Sequence, residues 1–363
     1  MAAYPTKLAE AFASQALEIF YATSVSDAIT NSEYEGQIKD KASILNVLTF
    51  GAIVEHAYTG ADMTADTLTE SNCQLFTNQA WYIYFTVKDY DTFRSYIKNP
   101  ESTIQKQVAN RMKQVIDTFV LTFVSDAGAD SIGTDFSTGT VTVDVTTGVV
   151  THSGTGFLAT MVGRLFKALG HTKYYRVTAY GSTSAITISD DEDDVAVHYS
   201  GGAIAGGATF VIRALTAVQT TAALIFGQIT AGATALNNQS IPQNDRWLVL
   251  PSTIAGVLKQ SVEFVGVGSE GGREAVMNGK LPGTFAGFSV FEVPDSYVTG
   301  DSVNGFRCLG GHKSAICFAM GLTENGVEDA YKNFGKNYKS LYIYGAKVPD
   351  ERRKALVELF LKL

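Results

Sequence analysis

The stretch from Asn99 to Phe123 constrains this chain more than any other, because its spacing predicts one long helix with a single apolar face. Asn99 suits the cap, Pro100 the first helical position where an absent N–H costs nothing, and Glu101 the positive end of the helix dipole. Ile104, Val108, Met112, Val115, Phe119 and Phe123 follow at spacings of three and four, the period of a helix that buries one stripe. Over residues 100 to 124, a rise of about 1.5 Å per residue makes a rod of roughly 37 Å. Its other face carries Lys98, Lys106, Arg111 and Lys113. Such a basic stripe is usually a solvated face and occasionally a surface for phosphates.

After the rod the composition changes. Residues 128 to 214 are rich in Gly, Thr, Val and Asp, with "GTVTVDV", "GVVTHSG", "YYRVTAY", "SAITISD" and "ATFVIRA" as short strands between turns. A helical stretch is expected within 156 to 170. The whole segment reads as a self-contained β-domain inserted into a larger fold, able to fold alone, with its ends close together. Within it, Asp190, Asp191, Glu192, Asp193 and Asp194 stand side by side. A calcium loop would need Gly at its sixth position and Glu at its twelfth, where this chain has Val195 and Gly201. Flanked by alternating runs at 185–189 and 195–199, the acids read as the solvated tip of a hairpin.

Before the rod, residues 6 to 22 place Leu8, Phe12, Ala16, Ile19 and Phe20 on one helical face: a packed helix or an arm lying on a neighbour. Residues 30 to 42 read as a loop, and 44 to 87 as a long β-excursion with a polar, Thr- and Asp-rich tip. After position 214 come an Ala-rich helix (216–236), a strand–helix unit opened by Pro251 and Ser252, a Gly-rich loop, and the strands "GFSVFEVP", "SAICFAMGL" and "KSLYIYGAKV".

A search for chemistry returns little. "GVGSEG" at 266–271 matches GxGxxG, but Asn278, Gly279 and Pro282 stop any substantial helix after it, and a dinucleotide site needs that helix to hold the pyrophosphate. His152, His171 and His198 lack metal-ligand spacing, and His56 and His312 stand alone. Cys73, Cys308 and Cys317 are scattered without CxxC spacing and read as small buried hydrophobes. No cofactor, metal or catalytic residue is expected.

Composition points elsewhere. Charged residues are 18% and hydrophobic ones 45%, against about 25% charged in an average soluble domain. No apolar run reaches the roughly 18 residues of a membrane span, and "MAAYPTKLAEAF" lacks a signal peptide's apolar core, which points to an intracellular chain without a membrane partner. Low surface charge in such a chain follows if other copies cover much of its surface. The net charge of −8 argues against a general nucleic-acid binder.

In this order and spacing, "YTGADMTADTLTESNCQLFTNQAWYIYFTVKDYD" (58–91), "NDRWLVLPSTIAGVLKQ" (244–260), "GTFAGFSVFEVP" (283–294), "GGHKSAICFAMG" (310–321) and "NFGKNYKSLYIYGAKVPDE" (333–351) resemble the major capsid proteins of tailed double-stranded DNA bacteriophages. That family has the Hong Kong-type fold, shared with encapsulins and the herpesvirus capsid floor. The resemblance covers all but 128–214 and implies an α+β fold. Its parts would be an N-terminal arm (1–44), an extended loop (45–88), a peripheral domain with the spine helix (89–127), an axial domain (215–330) and a returning strand (331–363), with 128–214 inserted.

It further implies a structural subunit, not an enzyme, that forms hexamers and pentamers of an icosahedral shell around double-stranded DNA. Such a shell assembles in the host cytoplasm and ends as the virion capsid, with separate scaffolding, portal and decoration proteins. An encapsulin-like compartment enclosing protein cargo is the alternative, and a nucleotide-dependent enzyme using "GVGSEG" is a remote one. Residues 42 to 87 contain no Lys or Arg, so the lysine that some members use for an isopeptide cross-link is missing from the loop, with Lys88 at its base. The loop's Glu55, Asp62, Asp66 and Glu70 are instead expected to meet Arg352, Arg353 or Lys354 of a neighbour, while Lys106, Arg111 and Lys113 are expected either to face packaged DNA or to form ion pairs with a neighbouring subunit.

Overall fold

The structure is a computed structural model that describes residues 24–33, 44–50, 55–57, 70–88, 100–129, 131–171, 173–190, 204–261, 284–331 and 334–363. Helix α1 (Ser26–Ile29) comes first. Its start is held by the buried Asp117, which accepts from the Ser26 N–H and the Ser24 hydroxyl, each at 2.9 Å. Strands β1 (Ile44–Phe50) and β2 (Glu70–Phe76) pair antiparallel, and β3 (Gln79–Lys88) follows. The predicted rod is helix α2 (Pro100–Leu121), which tightens into a 3-10 turn over Thr122–Asp126.

Next come β4 (Thr134–Phe136), β5 (Val141–Val143), β6 (Val149–His152), β7 (Leu165–Ala168), β8 (Tyr175–Ser182), β9 (Ala185–Ser189), β10 (Ile204–Ala208) and β11 (Phe210–Thr216). They form one eight-stranded sheet in the order β10-β5-β6-β9-β8-β7-β11-β4. The chain then passes through β12 (Val218–Gln219), α3 (Ile225–Asn238), β13 (Arg246–Pro251), α4 (Ser252–Lys259), β14 (Thr284–Phe285) and β15 (Phe288–Val293). It ends with β16 (Gly300–Asp301), β17 (Gly305–His312), β18 (Cys317–Asp329), β19 (Gly335–Lys347) and β20 (Leu356–Lys362). A seven-stranded mixed sheet runs β12-β20-β17-β13-β15-β14, with β16 on β17, and a three-stranded antiparallel sheet runs β18-β19-β3.

The main core lies between α2, α3, α4 and the seven-stranded sheet, where Val120, Ile225, Leu236, Trp247, Leu250, Ile254 and Leu359 are fully enclosed. Strand β20 is buried on both faces over six of its seven residues, which fits a run as apolar as "LVELFL" in mid-sheet. A second core holds the eight-stranded sheet together around Phe157, Phe166, Phe210, Val177 and Ile188. His152 belongs to that core: its Nε2 lies 2.7 Å from the Thr138 carbonyl, and its Nδ1 accepts from Gly154 N–H at 2.9 Å. Both ring nitrogens of this interior histidine are thus satisfied.

Several sequence expectations change. Within the rod the deepest row is Met112, Ile116, Val120 and Val124, while Val108, Val115, Phe119 and Phe123 are half-buried. The rod packs into the main core through Met112, Ile116 and Val120 and against the three-stranded sheet through Phe119, which meets Tyr344, so no single stripe takes every contact. The stretch 156–170 is not a helix. It forms a 3-10 turn at Ala159–Met161 and then β7, which pairs with β8 and β11, and Gly163 and Gly170 turn the chain on either side of that strand in left-handed conformations. The helix expected from 216 begins at Ile225, since β11 and β12 run to Gln219. Strand β9 has β6 on one side and β8 on the other, which leaves it no edge for a hairpin partner from 195–199. Residues 191–200 lie outside the described residues, but Asp190 is buried and ion-paired with Lys173. That acid is not part of a solvated tip.

Candidate assembly surface

Among the described residues, the three-stranded sheet and its connecting turn carry the most exposed large aromatic side chains: Trp81, Tyr82, Tyr84, Tyr331 and Phe334. Strand β3 alternates: Ile83, Phe85 and Val87 are half-buried towards α2, and Tyr82, Tyr84 and Thr86 are exposed on the other face. On the inner face Phe85 stacks on Tyr338 of β19 with ring centres 5.2 Å apart, and Phe119 of α2 meets Tyr344 edge-on at 5.5 Å. On the outer face Tyr82 is 78% exposed, and Thr86 donates to the Asn337 amide oxygen at 2.7 Å. At the far end of β18 and β19, Tyr331 and Phe334 are 94% and 90% exposed. Exposed large aromatics on this sheet and its connecting turn point to an interaction surface, since isolated soluble subunits seldom leave large apolar patches uncovered.

The edge itself points the same way. Among the described residues β3 pairs only with β19. Its stretch 79–87 contains none of the Lys, Arg or Pro residues that usually guard an exposed edge strand. Glycine fixes how this sheet meets the β1–β2 pair: a Cβ on Gly345 of β19 would collide with the backbone of Phe76 and Thr77.

Between this sheet and α2 lies an open cleft of about 330 Å³ lined by Trp81, Arg111, Val115, Phe119, Tyr297 and Tyr344 among others. It holds one cation at its rim and no paired acid and base, so it offers shape and apolar area rather than chemistry. Among the described residues no group of three or more His, Cys, Asp or Glu side chains is placed to hold a metal ion. No helix among them is long and apolar enough to cross a membrane. Cys73, Cys308 and Cys317 are buried and outside any disulfide, and burial pushes the Cys317 thiol up and the Cys308 thiol well above its ordinary range. They do not form the thiolates that nucleophilic chemistry needs.

The residues singled out from sequence are spread over the molecule. Glu55 is exposed, Glu70 opens β2 opposite Phe50, and Asp62 and Asp66 lie outside the described residues, as does "GVGSEG". Lys106, Arg111 and Lys113 are all exposed on α2, and Arg111 donates to the Gln114 side chain at 3.1 Å. Arg352, Arg353 and Lys354 fall in a 3-10 turn, Asp350–Ala355. Lys354 is exposed, and Arg352 donates to the Ser314 carbonyl at 2.6 Å. Arg353 is the exception: it is buried, pairs with Asp350 at 2.8 Å and faces Asp126 at 3.8 Å. Its charge is enclosed within the chain, so it cannot receive a neighbour's loop.

Sequence reading passed over Tyr331 and Tyr82 as individuals. The available signal was an aromatic residue on either side of a polar turn, "AYKNFGKN". It also passed over the buried ion pairs of Arg164, Arg176 and Glu358, which join residues up to 194 positions apart in the chain and leave no local pattern.

No family model matches the sequence, and no curated protein matches it. Solved structures do. A chain from Mycobacterium phage Che8 is similar with a TM-score of 0.61 at 16% identity, covering 98% of each chain. A chain from the capsid of the cyanophage P-SCSP1u gives 0.58 at 12% identity, covering 98% of this chain and 93% of its own. One from the capsid of Ralstonia phage GP4 gives 0.55 at 11%, covering 100% and 98%. The chain has the α+β fold of phage capsid chains, over nearly its whole length.

Proposed function

We propose that this chain is a major capsid protein, a structural subunit that assembles with copies of itself into the closed icosahedral shell of a tailed bacteriophage around double-stranded DNA. The observation that carries the reading is the fold shared from end to end with chains of phage capsids. The exposed aromatic sheet supports it, because a shell subunit must cover such surface with neighbours. In this reading residues 45–88, with the β1–β2 pair and β3, are the extended loop, 89–127 with α2 the spine of the peripheral domain, 215–330 with α3 and α4 the axial domain, and 331–363 the returning strand, although β20 in that last segment joins the seven-stranded sheet. The eight-stranded sheet (128–214) is the insertion. Copies would group as hexamers and pentamers, with scaffolding, portal and decoration proteins as separate partners. Glu55, Asp62, Asp66 and Glu70 would meet Arg352 or Lys354 of a neighbour, in exposed pairs worth at most about 1 kcal/mol each. Lys106, Arg111 and Lys113 would line the inner wall.

Electron microscopy of the purified protein tests this directly, with closed shells of uniform diameter expected. Nuclease-protected double-stranded DNA inside particles from infected cells supports a capsid, and protein cargo without nucleic acid would favour an encapsulin-like compartment. A monodisperse monomer that forms no shell with or without a scaffold would overturn the reading.

A further inference from the structure

The apolar core of the eight-stranded sheet and that of the larger body are separate clusters, so hydrophobic packing is not what chiefly joins them. Charge joins them. Arg164, in the turn before β7, directs one guanidinium nitrogen at both oxygens of Glu358, at 3.2 and 3.0 Å. Glu358 lies in the middle of β20 and is 2% exposed. Arg307 of β17 donates to the same carboxylate at 2.5 Å and to the carbonyl of Ala214, near the end of β11, at 3.2 Å. The Arg307 guanidinium is braced 3.8 Å above the Phe360 ring.

A second cluster repeats the pattern at the other connection. Arg176 of β8 pairs with the buried Asp126 at the end of the rod and donates to the Ser125 hydroxyl at 3.3 Å. Arg353 faces that carboxylate from the larger body at 3.8 Å. The Tyr174 hydroxyl donates to the Gly128 carbonyl at 2.7 Å.

The connecting strand is itself built in. Ile132 N–H donates to the Glu358 carbonyl at 2.8 Å, and Phe360 N–H donates back to Ile132 at 2.7 Å. Gly128 lies so close to the Arg353 backbone that a Cβ would sit 2.9 Å from it.

We propose that the clusters Arg164–Glu358–Arg307 and Arg176–Asp126–Arg353 are clamps that fix the orientation of the eight-stranded sheet on the larger body, so that the two move as one rather than as a tethered pair. Apolar contact is non-directional and tolerates sliding, whereas guanidinium–carboxylate hydrogen bonds set both distance and angle. Burial pushes the Glu358 carboxyl above its ordinary range, and Arg164 and Arg307 oppose that push. Loss of either arginine therefore leaves a poorly compensated charge inside the joint. Whatever partner the sheet's outer surface takes, the larger body sets the direction in which that surface is presented.

The test uses the full chain with spin labels on Thr142→Cys in the eight-stranded sheet and Asn238→Cys in the larger body. Both positions are exposed, and the three native cysteines are buried. The parent should give one narrow inter-label distance distribution. In the Arg164→Met/Arg176→Met variant the distribution should broaden at least twofold while circular dichroism stays unchanged. A distribution as narrow as the parent's would overturn the proposal. If the double variant yields no soluble protein, Arg176→Met alone decides by the same measurement, with broadening in support and unchanged width against. The experiment reads the single subunit, so its result does not depend on whether shells form.

Discussion

Strands β20, "LVELFLK", and β3, "QAWYIYFTVK", are both strongly apolar, yet they have opposite fates. β20 sits between β17 and β12 and is enclosed on both faces. β3 lies at the edge of its sheet, with Tyr82 and Tyr84 in solvent. The difference lies in neighbours rather than composition. β20 has its partners within the chain, whereas β3 presents the same kind of surface with no partner on the outer face among the described residues. Stability of the folded subunit should reside in the first strand, and association in the second.

Leu359→Ala tests the first half hardest. Its side chain is fully enclosed and packs where α3 comes close at Gly232, so truncation should cost about 2–5 kcal/mol, read as a lowered urea midpoint. A loss below about 1 kcal/mol would mean that β20 is not the structural centre. A middle-sized effect belongs to the inner face of the outboard sheet. A double-mutant cycle on Phe85 and Tyr338, each to Ala, should return a coupling of about 0.5–1.5 kcal/mol for the stacked pair.

On the outer face, Tyr82→Ser and Phe334→Ser should leave the subunit's midpoint within about 0.5 kcal/mol of the parent, yet abolish or strongly slow particle formation seen by light scattering. Normal assembly of both variants would place the association surface elsewhere. A related expectation concerns covalent bonding. Residues 42 to 87 lack Lys and Arg, so boiled particles should run as a single band near the 38.9 kDa monomer, and a ladder resistant to boiling and reductant would show that Lys88 supplies the amine.

The smallest effect is a pH dependence at the end of β17. The Nδ1 of His312 lies 2.8 Å from the Ser314 hydroxyl and accepts from the Ser314 N–H at 3.2 Å, which requires that nitrogen unprotonated. Burial lowers the ring's pKa below its ordinary 6.5, with Arg246 and Arg352 acting in the same direction and Asp245 against it. A base with a depressed folded value binds its proton more readily in the unfolded chain. This contribution is complete above about pH 6.5 and is lost as pH falls through the folded value. His312→Gln should flatten that slope in thermal midpoints between neutral and mildly acidic buffers, and an unchanged slope would assign it to other groups.

Sequence alone determined what depends on near neighbours in the chain. The rod announced itself through Pro100 at its start and its three-four spacing, and "RWLVLPSTIAGVLKQ" gave β13 and α4 where Pro251 and Ser252 placed the switch. The change of composition after the rod marked a run of β-strands. The missing catalytic motifs and the scattered cysteines were equally plain, because those signals are local too. Tertiary structure decided what depends on distant partners. The stretch 156–170 became a turn and a strand because β8 and β11 flank it, although its apolar spacing suits a helix. Asp190 went inward to meet Lys173, and Arg353 was enclosed by Asp126 and Asp350 rather than left at the surface. The clamp at Glu358 joins Arg164, 194 residues away, to Arg307. No period or motif encodes such a pair, because a charge is worth burying only where the fold delivers its counter-charge within hydrogen-bond reach.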